Sequence, residues 1–284
     1  MKLFKEYKLN IKKIIIFAVI AGIYTALMAL IPIFEDTSFR DITISFEVWI
    51  LFGIFIIMNS DTPKKSALYC FLFFLISQPL VYLIQVPFVG VGILSYYRNW
   101  IVWTILTIPM GFIGNYLKKD KWWGLFILVT VLLFLGYHNY DFVRKTIFMF
   151  PHHLLSVLFC IATIIMYPLV IFKNKKNRVI CLIISILIVI SSLGLSIYNK
   201  ISYTTDLTTN GGKLGIIFDD TYKVYLKDSR LGEVKIVYND GIEDYVITGK
   251  FNHGGKTNLV LEDASGKKET YKLEISYNKY DIFK

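Results

Sequence analysis

VICLIISILIVISSLGLSIY, residues 179–198, carries no charged side chain over 20 positions and is followed at once by Asn199 and Lys200. A helix rises 1.5 Å per residue, so this stretch is about 30 Å long, the thickness of a bilayer's hydrocarbon core. It also marks a boundary. Before it the chain is a series of similar apolar blocks, and after it the hydrophobic pattern changes period.

Upstream, the apolar blocks predict seven spans: 13–33, 43–59, 66–87, 99–117, 122–137, 153–172 and 179–198. The second and fifth, at 17 and 16 residues, are short enough to suit a re-entrant or interfacial segment. Charges bound both, and counting them as spans keeps the charge pattern regular. Lys2, Lys5, Lys8, Lys12 and Lys13 precede the first span, and Lys64 and Lys65 lie in the second connection. Lys118, Lys119 and Lys121 lie in the fourth, and Lys173, Lys175, Lys176 and Arg178 in the sixth. The alternate connections hold only Arg40, Arg98, Arg144 and Lys145. Basic residues concentrate on the cytoplasmic side, so fourteen against four predicts seven spans with the N-terminus inside and the C-terminal tail outside. The first span is read as retained. Its apolar core exceeds the 7–15 residues of a signal-peptide core, and cleavage after Ala29 would put Leu27 where a small residue is needed.

Downstream, Tyr222, Val224 and Leu226 alternate with Lys223, Tyr225 and Lys227, Val234, Ile236 and Tyr238 with Glu233, Lys235 and Val237, and Tyr271, Leu273, Ile275 and Tyr277 with Lys272, Glu274 and Ser276. Period two predicts half-buried strands. The turn signals Asn210-Gly211-Gly212, Asn239-Asp240-Gly241 and Ala264-Ser265-Gly266 separate them, giving six short strands in an antiparallel sandwich or barrel. Residues 199–212, with Asn199, Ser202, Thr204, Thr205, Thr208 and Thr209, read as a polar linker. The expected organisation is a polytopic helical domain over 1–200 and an extracytoplasmic β-sandwich over 201–284.

The whole composition agrees with this division. Of 284 residues, 55% are hydrophobic and 18% charged, against about 45–50% and 25% in soluble domains. The net charge of +10 invites a nucleic-acid reading. The excess, however, lies in the inner segments, where fourteen basic residues face only Glu6, Asp61 and Asp120. That is a topological signal beside an anionic inner leaflet, so the expected partner is the lipid bilayer and no nucleic acid. Cys70, Cys160 and Cys181 all fall inside spans, leaving the tail without a disulfide framework. A cysteine-free external domain and 26 lysines against 5 arginines suit the plasma membrane of a Gram-positive type of bacterium.

Polar residues inside spans are the candidate functional residues, because a buried polar group needs a partner. Glu47, Gln78, Gln85 and Arg98 are placed to form a polar pocket open to the outside, above Thr104 and Thr107. There Arg98 would meet an anionic group and Glu47 a cationic one. The alternative is a structural Glu47–Arg98 ion pair with the glutamines bonding between helices. Pro79, Pro109 and Pro168 inside spans mark either packing kinks or helices broken for substrate. Ala18, Gly22 and Ala26 form a small-residue ladder for close approach of a helix, from the same bundle or from another membrane subunit. The five tryptophans, Trp49, Trp100, Trp103, Trp122 and Trp123, lie near span ends and read as interface anchors. A ligand cage of Tyr96, Tyr97, Trp100 and Trp103 is the alternative. His138, His152 and His153 border an outer connection without the i,i+4 spacing of a zinc site, so no metal is expected. No HExxH, GxSxG or GxxxxGK[ST] pattern occurs. Neither an enzyme nor a cofactor is therefore expected.

Five segments carry a resemblance over residues 38–178: Ser38-Phe39-Arg40-Asp41-Ile42, Phe46-Glu47-Val48-Trp49-Ile50, Phe74-Leu75-Ile76-Ser77-Gln78-Pro79, Gln85-Val86-Pro87-Phe88 and Lys118-Lys119-Asp120-Lys121-Trp122. In these the chain resembles an uncharacterised family of multi-pass membrane proteins from low-GC Gram-positive bacteria, which implies topology without an activity. The first span's spaced alanines are also similar to the substrate-binding subunits of energy-coupling-factor vitamin transporters. Those are helical bundles with an outward-facing pocket, from which this chain departs by its seventh span and β domain. The closing hairpin, Leu259 to Tyr277, looks like the last two strands of bacterial immunoglobulin-like surface modules. The expected role is binding or assembly through an external β domain, with an extracytoplasmic protein as partner. A small-solute binding or transport component is the second expectation.

Overall fold

The computed structural model describes residues 7–212 and 215–283. Lys2 and Lys5 of the basic N-terminus lie outside the described residues. Among those described, eight α-helices precede seven strands: α1 (Ile11–Leu30), α2 (Ser38–Ile44), α3 (Phe46–Met58), α4 (Pro63–Val89), α5 (Leu94–Gly114), α6 (Gly124–Phe148), α7 (Leu154–Ile171) and α8 (Lys175–Tyr198). Six of them are long and apolar enough to cross a membrane. These are α1, α4, α5 with its flanking 3-10 turns, α6, α7 and α8.

The second predicted span is instead a bent pair. α2 and α3 meet at 46°, with Ser45 between them in an extended conformation. The cause is local. Ile42, Thr43 and Ile44 are β-branched and weak helix formers, and Ser45 favours a cap over a helix interior. Alone, the 13 residues of α3 rise about 20 Å, short of a full crossing. The fifth predicted span, by contrast, is not short: α6 has 25 residues and carries the helix through His138 and Arg144, where a loop was expected.

The chain divides into two compact units. The first holds residues 7–140 and 155–194 of the described chain, and α4 is central to it. Asn10 and Thr62 cap α1 and α4, accepting from the Lys13 and Lys65 backbone N–H groups, and Pro63 occupies the first turn of α4. α4 packs on α1 at Gly22, where a Cβ would lie 2.9 Å from Ser77 O. α5 meets it at Gly111, where a Cβ would lie 2.9 Å from Ser66 O. Of the two partners expected for the Ala18–Gly22–Ala26 ladder, the structure supplies a helix of the same chain. α4 runs unbroken through Pro79 and Pro87, as α5 does through Pro109 and α7 through Pro168.

The second unit comprises residues 141–154 and 195–283 of the described chain. Its strands are β1 (Tyr203–Thr209), β2 (Lys223–Leu226), β3 (Gly232–Asn239), β4 (Asp244–Phe251), β5 (Gly255–Glu262), β6 (Lys268–Ser276) and β7 (Lys279–Phe283). They form two antiparallel sheets, β1-β4-β3 and β2-β5-β6-β7, around one core that includes Leu207, Phe251, Leu259, Tyr271 and Leu273. Three expectations are corrected here. Seven strands form rather than six. Residues 203–209 are a strand, not part of a polar linker: Thr204 and Thr205 pair with Lys250 and Gly249, and Leu207 is buried. The β5–β6 hairpin does not close the chain, because a two-residue turn with Asn278 at φ 58 sends β7 back along β6. The sheet order also differs from the immunoglobulin arrangement, whose third and sixth strands pair.

One core residue comes from outside the tail. Phe148, the last residue of α6, is 2% exposed within the β core, and its carbonyl accepts from Gly254 N–H at 2.7 Å. Gly254 permits the approach, since a Cβ there would lie 2.7 Å from Met149 Cγ.

Candidate functional site

Glu47 stands in the first turn of α3 and is completely buried. Burying a carboxylate among apolar side chains is costly unless it is paired. Its Oε1 lies 3.5 Å from Nδ1 of His138 on α6. The Cys160 thiol, on α7, is 4.0 Å from the same oxygen and 3.4 Å from the Leu135 carbonyl. Oε2 has no hydrogen-bond partner. Three helices therefore converge on one carboxylate, with one oxygen left over.

Aromatic rings enclose the pair. Phe46 contacts Trp100 at 4.9 Å, Trp103 at 5.1 Å, Phe134 at 5.4 Å and the His138 ring at 5.4 Å. Phe134 lies 4.7 Å from His138, and Trp49, itself 2% exposed, packs on Phe52, Phe73 and Trp100. Of the four residues in the alternative ligand cage, Trp100 and Trp103 pack on the chain's own Phe46. Tyr97 pairs with Tyr82, and Tyr96 is exposed.

The four residues expected to share a pocket are placed differently from one another. Glu47 meets His138 and Cys160 rather than Arg98, which is exposed at the start of α5. Gln85 is buried and donates to Val81 O of its own helix at 2.8 Å. Gln78 is buried on the same face of α4, two turns away, and its Nε2 has no partner. Thr104 Oγ1 is likewise buried without one, and Thr107 donates to Thr104 O. Two cavities, of about 700 Å³ beside α1 and α3 and about 500 Å³ on the β domain, include none of the four.

His138 was missed because the polar run from His138 to Asp141 reads as a loop. A signal was present: Leu128, Leu132, Leu135, Asn139 and Phe142 keep helical spacing straight through it, and all five are buried. Asn139 donates to Ser192 Oγ at 2.8 Å, tying α6 to α8. Among the described residues, no group of three or more His, Cys, Asp or Glu is placed to hold a metal ion. The site therefore offers a buried carboxylate–imidazole contact with an adjacent thiol that ties three helices together. No family model matches the chain, and no curated protein and no solved structure is significantly similar to it.

Proposed function

We propose that this chain is a multi-pass plasma-membrane protein with seven crossings, α2 and α3 together making the second. Its N-terminus is cytoplasmic and its β domain is displayed outside, in a binding or assembly role toward an external protein and not as an enzyme. The observation that carries this reading is where the basic connections meet. Tyr7 N–H donates to Asn59 Oδ1 at 2.8 Å, and Asn115 donates to Ser60 O at 3.1 Å, as does the Lys118 ammonium. Asn174 N–H donates to Asp120 Oδ2 at 2.5 Å. Hydrogen bonds thus join the lysine-rich connections to one another, whereas Ser156 on α7 donates to Asp41 on α2 at 3.1 Å among the lysine-poor ones. Charge segregation along the sequence and contacts in space point to the same sidedness.

The test is thiol labelling in intact cells. Cys70, Cys160 and Cys181 are buried, so background is low. A cysteine in place of Ser265 is expected to react with an impermeant reagent. One in place of Lys65 reacts only after permeabilisation. Equal access at the two positions would overturn the orientation.

A second reading, a small-solute component, draws on the partnerless polar atoms of Glu47, Gln78 and Thr104, which a bound molecule would satisfy. It expects the purified protein to retain a small molecule seen by mass spectrometry and Gln78→Leu to abolish retention. Retention unchanged by that substitution, or none in the parent protein, removes this reading.

A further inference from the structure

The helical unit carries an apolar groove of about 700 Å³ between α1, α3 and α7. Ile16 and Ile20 of α1, Leu51, Phe52 and Phe55 of α3 and Met166 of α7 line it, and Phe17 packs edge-on against Phe52 at 5.0 Å. One end is closed by Tyr7 and Lys13, and Lys13 is the one charged side chain among the described lining residues. Its ammonium donates to Lys8 O at 2.9 Å and sits 4.3 Å from the centre of the Tyr7 ring. The carbonyl takes one of three N–H donors, so the ammonium is held in place with donors to spare. Lys8 and Lys12 flank it.

We propose that this groove binds an anionic phospholipid of the inner leaflet, with one acyl chain along Ile20 and Phe52 and the phosphate at Lys13. The proposal rests on the orientation proposed above, which puts Lys13 at the cytoplasmic face. Three observations select this occupant. From Lys13 to Ile20 the helix rises about 10 Å, most of the roughly 15 Å depth of one leaflet. A second transmembrane helix, about 10 Å across and 30 Å long, exceeds the groove several-fold. The Lys13 ammonium at the mouth, with Lys8 and Lys12 close to it in sequence, complements a phosphate, and basic pockets at the cytoplasmic ends of spans are suited to anionic headgroups.

The experiment uses the full chain in nanodiscs of phosphatidylglycerol and phosphatidylcholine, equal in amount and acyl composition, with retained lipid read by native mass spectrometry. Phosphatidylglycerol is expected to be retained about fivefold or more over phosphatidylcholine. Lys13→Gln should reduce that preference about fivefold, and Lys13→Arg should keep it. Ile20→Trp, an exposed position where a large ring fills the groove without changing charge, should lower retention of both lipids. Equal retention of the two lipids by the parent protein, or a preference unchanged in Lys13→Gln, overturns the proposal. A photo-cross-linker at Ile20 that captures a polypeptide instead of lipid also overturns it, by assigning the groove to a protein. Both nanodisc leaflets have one composition, so this result does not depend on orientation in the cell. Labelling at Lys65→Cys reads orientation separately, and the two failures are distinct.

Discussion

Glu47 and His138 make the same contact, but losing one is not equivalent to losing the other. The carboxylate is wholly buried with one oxygen already unpartnered, whereas the His138 side chain keeps 23% of its surface exposed. His138→Leu leaves the carboxylate with the Cys160 thiol alone, and an orphaned buried acceptor costs about 1–3 kcal/mol. Glu47→Gln leaves an imidazole that is only partly buried. The expected result for detergent-solubilised protein is a clear fall in thermal midpoint for His138→Leu and a small change for Glu47→Gln. The double variant should be more stable than His138→Leu alone, as a double-mutant cycle would show. Equal losses in the two single variants would mean that the pair only fills space. In the β domain, Arg230 holds the Asp228 carboxyl well down, to about 2, through its guanidinium and its backbone N–H. The unfolded carboxyl titrates near 3.9. Asp228 therefore adds stability above about pH 4 and loses it as pH falls through about 2. Because the pair is exposed, the effect is small and screened by salt. Hydrogen-exchange protection in the β domain should decline less between pH 4 and 2 in Arg230→Gln than in the parent.

At the scale of elements, the sequence is legible wherever one period holds and misleading where polar residues interrupt it. The long spans and the strands around Val224, Ile236 and Leu273 follow directly from apolar periodicity. β1 did not, because Tyr203–Thr209 is nearly all threonine and polar residues, whose β preference depends on a neighbouring strand. The pairing with β4 that makes it a strand lies some 40 residues away. The polar run in α6 reads as a helix end for a related reason, which conceals both the His138 contact and the role of Phe148. Placing Phe148 in the β core gives residues 141–154 a structural function there, reinforced by Lys145 5.2 Å from the Tyr277 ring and Arg144 Nε donating to Asn199 O at 2.9 Å. Phe148→Ala should remove about 3–5 kcal/mol from the β unit. In the full chain this would appear as faster proteolysis between β1 and β7. Ile217→Ala, at a position 78% exposed, serves as the control with little effect. If Phe148→Ala left proteolysis unchanged, the β unit would not depend on the helix-derived segment.

For the whole molecule, charge segregation can be read from sequence where the site cannot, because it depends on which segments carry the lysines and not on where any one side chain points. The fourteen basic residues that the proposed orientation places inside are spread over four segments, so no single connection carries the signal. The sixth connection is the one to remove, since Lys173, Lys175, Lys176 and Arg178 directly precede α8, the helix that leads to the β domain. Their roles differ. Arg178 donates to Phe172 O at 2.8 Å and so helps shape the turn between α7 and α8, whereas Lys175 and Lys176 are exposed in the first turn of α8. Changing Lys173, Lys175 and Lys176 to Gln while keeping Arg178 separates the topological contribution from the structural one. With the α7–α8 turn intact and three positive charges gone, part of the population should insert α8 wrongly. Labelling of a cysteine at position 265 in intact cells should fall, and the lost fraction should return on permeabilisation. Adding three lysines near Asn199 in the same background should deepen the loss. If labelling stayed complete in both variants, α8 would be oriented by packing within the helical unit, as the Asn139–Ser192 bond and Ser185 donating to Ile164 O at 3.1 Å would allow, and not by its flanking charge.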